Sequence, residues 1–246
     1  MTFTDPNEPP EITRHPYNLA TPQRGGDTVI GFLALLRNDG VRCFIAGGFA
    51  RWVLSVDHTT PCPGDIDIFF ENEEHFQKAK FILDKEGFRT SLETSNALTL
   101  TPPNTAEFDV GSMNIQLIRP CKGRCGTVYD VLDGFDINVC QAALVLTSKN
   151  TLKGYVSNVF VSGETHQRIR IAKMGHPLAV MQRCIKYASK GYKVSTRVLL
   201  QIFVAWDKLP QEERQQAYDL MKNGQFSHLY NLLGRETTPS TDTFIP

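Results

Sequence analysis

The sequence predicts an α+β fold, in which strands and helices alternate up to about residue 170 and a small helical C-terminal region follows. Two observations predict it. Before residue 170, short apolar runs of strand length alternate with stretches whose apolar residues recur at helical spacing. After residue 170, only the helical spacing is found. The chain contains neither an internal repeat nor a low-complexity block.

The first predicted elements are a helix, a strand, a short helix and a second strand. Asp27 can cap the first helix and Gly40 can end it, with apolar residues at helical spacing between them. The run VRCFIAGG predicts a buried strand that ends at Gly47 and Gly48. FARWVLSV predicts the short helix that begins there, and DIDIFF predicts the second strand.

An amphipathic helix, three β-like segments and three further helices complete the predicted order. ENEEHFQKAKFILDKEGF predicts the amphipathic helix, which Gly87 ends. The β-like segments are residues 97–101, 114–120 and 135–146. The C-terminal helices are predicted in HPLAVMQRCIKYASKGY, STRVLLQIFVAWDKL and PQEERQQAYDLMKNG.

These elements give the domain organisation. We expect a flexible leader at 1–25, an α+β domain at 26–170, a helical C-terminal region at 171–234 and a tail at 235–246.

Composition limits the classes of function. The chain carries 26 basic and 26 acidic residues, so a broad basic coat for non-specific nucleic-acid binding is not indicated. The N-terminal segment is polar and rich in proline, unlike a signal peptide. No apolar run approaches the ~20 residues that a membrane helix needs. The six cysteines therefore predict free thiols in a reduced, cytoplasmic protein without a membrane partner.

The second strand contains two acids that need a positive partner. On a strand, residues i and i+2 point to the same face, so Asp65 and Asp67 project together. Neighbouring carboxylates repel each other, and burial raises the cost of their charge. Mg²⁺ is the candidate partner, because it binds carboxylates and leaves positions for water and phosphate oxygens. A pair of such ions can clamp the attacking and leaving oxygens of a phosphoryl transfer.

The glycine pair supplies the second part of the candidate site. Gly47 and Gly48 end a strand and open a helix, where backbone N–H groups attract phosphate. Glycine also lets a phosphate approach the backbone closely. A Gly-Gly pair alone is usually a turn, and Asp-x-Asp alone is usually a solvated loop or a cap. Their order, with a short helix between them, favours a triphosphate cradle beside a metal site.

These residues resemble a known superfamily. AGGFARWVLS followed by GDIDIFF is similar to the nucleotidyltransferases that include DNA polymerase β. Within them it is most similar to the head domain of the tRNA CCA-adding and bacterial poly(A) polymerase branch. That branch has Gly-Gly-x-x-Arg, a short helix and then Asp-x-Asp; the matching residues are Gly47, Gly48, Arg51, Asp65 and Asp67.

Two weaker matches extend the resemblance over roughly residues 40–195. LDGFDINVCQAAL is similar to the Arg-Arg-Asp-Phe-Thr-x-Asn-Ala motif of that branch, with Asp136 and Asn138 in the Asp and Asn places, although the paired arginines are absent. HPLAVMQRCIKYASKGYKV is similar to the neck helix, whose arginines approach the incoming nucleotide; Arg183 and Lys186 would be those residues.

The resemblance implies a polymerase β-like mixed sheet with flanking helices in a nucleotidyltransferase domain. It implies transfer of a nucleoside monophosphate from an NTP such as ATP to an acceptor hydroxyl, with pyrophosphate leaving. Asp65 and Asp67 would hold Mg²⁺ or Mn²⁺, and Gly47, Gly48 and Arg51 would bind phosphates. An RNA 3′ end is the acceptor that the CCA-adding branch implies. The zero net charge and the short helical region keep a small molecule or a protein hydroxyl open as well.

The third carboxylate that many members of the superfamily use has two candidates. Gln116 stands in the usual place on the NIQLI strand, but an amide cannot act as a base. Asp136 is the alternative as third ligand or base, and a strand-end or cap role explains it equally well. A glutamine in that place also keeps open a degenerate relative that binds a nucleotide or a protein partner without turnover, or a structural role.

Two groups of basic residues also have alternative interpretations. Arg51 can reach a phosphate, or it can pair with Asp65 or Asp67. Arg183, Lys186 and Lys190 recur at spacings of three and four residues, so they share one face. That face points either to the active cleft or to solvent.

Overall fold

The structure is a computed structural model, and it describes residues 26–55, 62–103, 113–121 and 124–222. The predicted leader at 1–25 and the predicted tail at 235–246 lie outside the described residues. The elements in chain order are α1 (Gly26–Asn38), β1 (Cys43–Ala46), α2 (Gly48–Leu54), β2 (Asp65–Phe70), α3 (Glu73–Lys85), β3 (Arg89–Glu93), β4 (Ala97–Thr101), β5 (Asn114–Ile118), α4 (Val128–Gly134), β6 (Ala142–Leu146), β7 (Leu152–Val156), α5 (Asn158–His166), α6 (Pro177–Ala188), α7 (Thr196–Asp207) and α8 (Gln211–Lys222).

Seven strands of the described chain form one mixed sheet in the order β3-β4-β5-β2-β1-β6-β7. The central pair β2 and β5 is parallel. The other neighbouring strands are antiparallel. The prediction of an α+β fold with a mixed sheet and a helical C-terminal region is therefore confirmed.

The two faces of β2 have different surroundings. Ile66, Ile68 and Phe70 are buried in the main core, whose other residues come largely from α1, α2, α3 and the neighbouring strands. Asp65 and Asp67 point to the opposite face and are half-buried there. This alternation places the two acids away from the main core.

The helical region packs on the face that carries the acids. Val180, Cys184 and Tyr187 of α6 share a buried cluster with Ile137 and Val139, which lie just before β6. Phe135 packs against both this cluster and a second one beneath α4. The helical region is therefore continuous with the sheet, close to the acids of β2.

One predicted element differs from the structure. The sequence predicted a β-like segment over 135–146, but the regular strand begins only at Ala142. A short 3₁₀ turn occupies Asn138–Cys140. The Asn138 side chain causes this difference, because it bonds to backbone groups of other segments: Nδ2 donates to the Val159 and Arg168 carbonyls, and Oδ1 accepts from the Arg170 N–H. A buried amide with three such bonds fixes a turn rather than a ladder.

Two further observations concern the expected location of the protein. Within residues 26–222, leaving out the undescribed gaps, no helix is long and apolar enough to span a membrane. The six cysteines are free thiols.

Candidate active site

Gly47 lies directly against the carboxylate of Asp67. Its backbone has φ 82° and ψ −135°, a conformation that suits glycine. A Cβ atom at this position would lie 3.3 Å from Asp67 Oδ2 and 3.8 Å from Phe135 Cζ. The bend between β1 and α2 and the second acid of Asp-x-Asp therefore meet, as the sequence predicted.

The two glycines of the pair differ in their surroundings. The Gly47 N–H donates to the Ala142 carbonyl at 3.0 Å, so this amide belongs to the contact between the bend and β6. It is engaged within the protein, whereas the sequence analysis expected it to face phosphate. A Cβ at Gly48 would meet nothing within 4 Å, so the space beside this residue is open. Phosphate binding by either glycine stays a prediction.

Asp65 and Asp67 form a pair of interacting carboxylates. Burial and, to a smaller extent, the negative charge of Asp65 raise the pKa of Asp67 to about 7, while the charges of Lys186 and Arg183 oppose this shift. Near neutral pH, the ionisation of a carboxyl group with such a pKa costs more free energy than that of an ordinary aspartate. A bound cation would remove this cost.

The donor set fits a hard divalent ion. Carboxylate oxygens are the ligands that Mg²⁺ and Mn²⁺ prefer, and Mg²⁺ is commonly bound by one or two carboxylates together with substrate phosphates. In the described part of the chain, no group of three or more His, Cys, Asp or Glu residues could hold a metal. Metal binding by the pair Asp65 and Asp67 stays a prediction.

Gln116 occupies the position beside Asp67 on the neighbouring parallel strand. The two residues are paired in register, two residues along the strands from the pair Asp65 and Asn114. Paired residues of adjacent strands share a face, so the amide of Gln116 belongs to the same surface as the acids. Of the two third-acid candidates, Gln116 is the one beside Asp67.

Asp136 is held by a basic residue of α6. Its side chain is 3% exposed and forms an ion pair with Arg183 Nη1. Its backbone carbonyl accepts from the N–H groups of Ala172 and Lys173, at 2.8 and 3.2 Å. Asp136 is thus built into the contact between the chain before β6 and α6, and its predicted catalytic role stays a prediction.

Arg51 is surrounded by protein groups. Its side chain is 2% exposed, and Nη1 donates to Tyr192 Oη at 2.9 Å and lies 3.9 Å from Glu164 Oε2. Its Cζ lies 5.6 Å from the centre of the Tyr187 ring and 5.7 Å from that of Tyr192. Among the described residues, its ion-pair partner is Glu164 and neither of the two acids of β2.

This arrangement changes how Arg51 is interpreted. The sequence offered a phosphate contact or an ion pair with Asp65 or Asp67, and the structure gives a third outcome, a buried network with α5 and α6. The phosphate contact stays a prediction. Glu164 and Tyr192 were missed by the sequence analysis, since no motif or spacing links them to Arg51.

The basic residues of α6 interact electrostatically with the acids. The charges of Lys186 and Arg183 lower the pKa of Asp67. The charge of Asp65 raises the pKa of Lys190, which lies just after α6, against the lowering that burial causes. Nucleotide contact by Arg183 and Lys186 stays a prediction.

Comparison with known proteins gives one family and one group of structures. A family model described as "Gad2: Gabija anti-defense 2 family protein" matches residues 25–167. No curated protein sequence matches the chain. The solved structures that the chain resembles include a tRNA nucleotidyltransferase, a CCA-adding enzyme and a tRNA-processing enzyme.

Three of these structures define the similarity. A tRNA nucleotidyltransferase complexed with a primer tRNA and an incoming ATP analogue is 15% identical, with a TM-score of 0.52, over 83% of this chain and 55% of that one. The Thermotoga maritima CCA-adding enzyme complexed with tRNA has the same identity and TM-score over 86% and 53%. An apo tRNA-processing enzyme is 14% identical, with a TM-score of 0.51, over 92% and 68%.

At these identities the matches show the fold. The nucleotidyltransferase-like fold that the resemblance implied is therefore confirmed. This chain spans little more than half the length of the first two of these structures.

Proposed function

This chain belongs to the Gabija anti-defense 2 family, and we propose that it is a metal-dependent nucleotidyltransferase. It moves a nucleoside monophosphate from an NTP to an acceptor hydroxyl and releases pyrophosphate. One observation carries the proposal: Asp67 lies against the Gly47 bend and interacts electrostatically with Asp65, Lys186 and Arg183. This supports a site that combines acids for a metal with cations for phosphate.

The roles of individual residues follow from this arrangement. Asp65 and Asp67 would hold Mg²⁺ or Mn²⁺, which supplies charge neutralisation for the phosphates and polarises the reacting oxygens. Gly48 leaves room for the phosphates to approach the backbone, and Gly47 shapes the bend that brings Gly48 to Asp67. Arg183 and Lys186 contact the nucleotide from α6, and cations fixed in a cleft stabilise the charge that develops in the transition state.

Asp136 and Arg51 act on the site through other residues in this account. Asp136 orients Arg183 through their ion pair. Arg51 holds α2 against α5 and α6 through Glu164, Tyr187 and Tyr192. We propose both as positioning residues, in place of the third metal ligand and the phosphate ligand that the resemblance implied.

The family description supplies the biological setting. We propose that nucleotide transfer is the means by which this protein counteracts Gabija. An RNA 3′ end is a candidate acceptor, because the structural matches include enzymes complexed with tRNA. A small molecule and a protein hydroxyl are the other candidate acceptors.

The decisive experiment measures pyrophosphate release. The full chain is incubated with each labelled NTP, Mg²⁺ or Mn²⁺, and total RNA. We expect release in the wild type and its loss in Asp65→Asn and in Asp67→Asn. Asp84→Asn is the matched control, because Asp84 is exposed on α3. Release that persists in both site variants would overturn the proposal.

A second candidate function rests on Gln116. An amide beside Asp67 cannot take a proton from an acceptor hydroxyl, so a protein that binds nucleotide without turnover is the alternative. Tight NTP binding without pyrophosphate release, weakened in Asp67→Asn, would favour this alternative.

A further inference from the structure

Helix α7 carries apolar side chains on two opposite sides. Val198 and Ile202 are buried in the cluster that α7 shares with α6. On the outward side, Leu200, Phe203 and Val204 are 58%, 63% and 54% exposed. Single exposed apolar residues are common, but a helix that is apolar all round is typical of one that is buried on every side. The outward side of α7 therefore has the composition of a contact surface.

Four exposed residues on this outward side follow the spacing of a coiled-coil seam. They are three, four and three residues apart along the helix: Arg197, Leu200, Val204 and Asp207. This is the spacing of alternating a and d positions in a heptad repeat, which face a partner helix. We call these four residues the α7 seam. Its centre is apolar, and it has a cation at one end and an anion at the other.

The two end charges favour a partner of the same sequence that runs in the opposite direction. Ile202 lies midway between Arg197 and Asp207 along the helix. A two-fold axis beside it would therefore place Arg197 opposite the partner's Asp207, and Leu200 opposite the partner's Val204. Such an interface is complementary to itself, as a two-fold contact requires. A parallel pair would instead bring like charges together at both ends, which is unfavourable.

The α7 seam has the size of a weak interface. Its apolar side chains offer a patch on the order of a few hundred Å², compared with ~800 Å² per partner in stable complexes. Asp207 also forms an ion pair with Arg214 of the same chain, at 3.1 Å. The Asp207 side chain is 84% exposed, and ion pairs this exposed contribute little, so this carboxylate can exchange partners at small cost.

We propose that the outward side of α7 is a homodimer interface, in which the α7 helices of two copies of this chain pack antiparallel across a two-fold axis. The occupant of the apolar surface is a second copy, because the end charges of the α7 seam match each other in that arrangement. The inference is independent of the proposed function.

The test measures the dimer dissociation constant of the full chain by sedimentation velocity over a concentration series. The wild type should show a monomer–dimer equilibrium with a Kd of tens of micromolar. Arg197→Asp and Asp207→Arg each create like charges at both ends of the interface, so each should raise the Kd at least about tenfold.

Mixing the two charge variants gives the sharpest readout. When one partner carries Arg197→Asp and the other carries Asp207→Arg, opposite charges meet again at both ends. An equimolar mixture should therefore form dimers with a Kd close to that of the wild type. Cover of α7 by another part of the same chain would not give this rescue.

Phe203→Ser tests the apolar part of the interface, with Phe81→Ser as its matched control. Phe81 is exposed to a similar extent, 59%, but lies on α3, whose buried residues belong to the main core. We expect Phe203→Ser to raise the Kd about tenfold and Phe81→Ser to leave it unchanged. The substituted residues are all exposed, so these variants are expected to fold; thermal denaturation checks this.

Each outcome decides the inference. Dimerisation that the single charge variants weaken and their mixture restores supports the antiparallel interface. A wild type that stays monomeric at millimolar concentration overturns it and assigns the apolar side of α7 to another cover. Dimerisation that is unchanged in the charge variants and in Phe203→Ser overturns it as well, because the dimer then forms through another surface. Weakening in both charge variants without rescue on mixing excludes the antiparallel arrangement.

Discussion

Asp136 and Arg183 form an ion pair that joins the chain before β6 to α6, and Arg183 also lies close enough to Asp67 to lower its pKa. The pair therefore connects a buried acid with the candidate site. This arrangement suits a positioning role, in which Asp136 holds the guanidinium whose charge acts on Asp67.

The first prediction concerns this pair. Asp136→Asn should destabilise the fold by about 1–3 kcal/mol, because the buried negative charge that pairs with the Arg183 guanidinium is lost. It should reduce NTP turnover to about the level of Arg183→Met, and the double variant should lose little more. Denaturation and steady-state kinetics measure both effects. Complete loss of activity at unchanged stability, as expected of a metal ligand, would contradict the positioning role.

The second prediction concerns the glycine pair. Gly47→Ala should destabilise the protein by about 1–3 kcal/mol, since its backbone conformation is strained for any other residue. The new methyl group would also lie 3.3 Å from Asp67 Oδ2 and disturb the metal site. Gly48→Ala is the control, because it opens α2 with free space around it. Equal stability of the two variants in urea would show that the bend is not constrained.

The third prediction separates the two roles of Arg51. Arg51→Met should cost about 3–5 kcal/mol of stability, because it leaves Glu164 buried without its partner. Tyr192→Phe should cost about 1–3 kcal/mol, since it removes the hydrogen bond that Tyr192 accepts from Arg51 and the one that it donates to Glu164. Chemical denaturation measures both. If Arg51→Met keeps full stability while the KM for NTP rises, Arg51 is a phosphate ligand after all.

The fourth prediction concerns pH and the metal-free protein. The pKa of Asp67 is raised from 3.8 to about 7, so the folded state binds this proton more tightly than the unfolded state does. The favourable contribution of protonated Asp67 to the free energy of unfolding is fully present below pH ~4. It is lost as pH rises through about 7. Asp67→Asn avoids that loss.

Melting temperatures measured in EDTA test this sign. Asp67→Asn should be more stable than the wild type by several degrees at pH 8, and the difference should shrink towards pH 4. When Mn²⁺ replaces EDTA, the melting temperature of the wild type at pH 8 should rise and that of the variant should not. A difference that is the same at both pH values would contradict the assigned origin of the shift.

The parts of the site that were predictable from the sequence are local. The glycine bend and Asp-x-Asp lie within one stretch, and strand alternation alone puts both acids on one face. The partners of Arg51 were not predictable, because Tyr192 is 141 residues away and enters only through the packing of α6 and the chain after it.

The missed elements have physical reasons of their own. All five residues of β3 are exposed, so no apolar alternation marks it. Helix α4 is seven residues long, too short for a clear helical period. In β7, Gly154 interrupts the apolar pattern by which a strand is recognised. The packing requires glycine at this position, because a Cβ there would lie 2.6 Å from Leu54 Cδ2. Packing between distant elements selected a residue that local patterns disfavour.

The central claim is that Asp65 and Asp67 together hold a divalent metal for a bound nucleotide. Titration of Mn²⁺ followed by electron paramagnetic resonance, with a non-hydrolysable NTP analogue present, tests it most directly and needs no turnover. The account predicts saturable Mn²⁺ binding by the wild type and by Asp84→Asn, and its loss in Asp65→Asn and Asp67→Asn. Equal Mn²⁺ binding by all four proteins would contradict it.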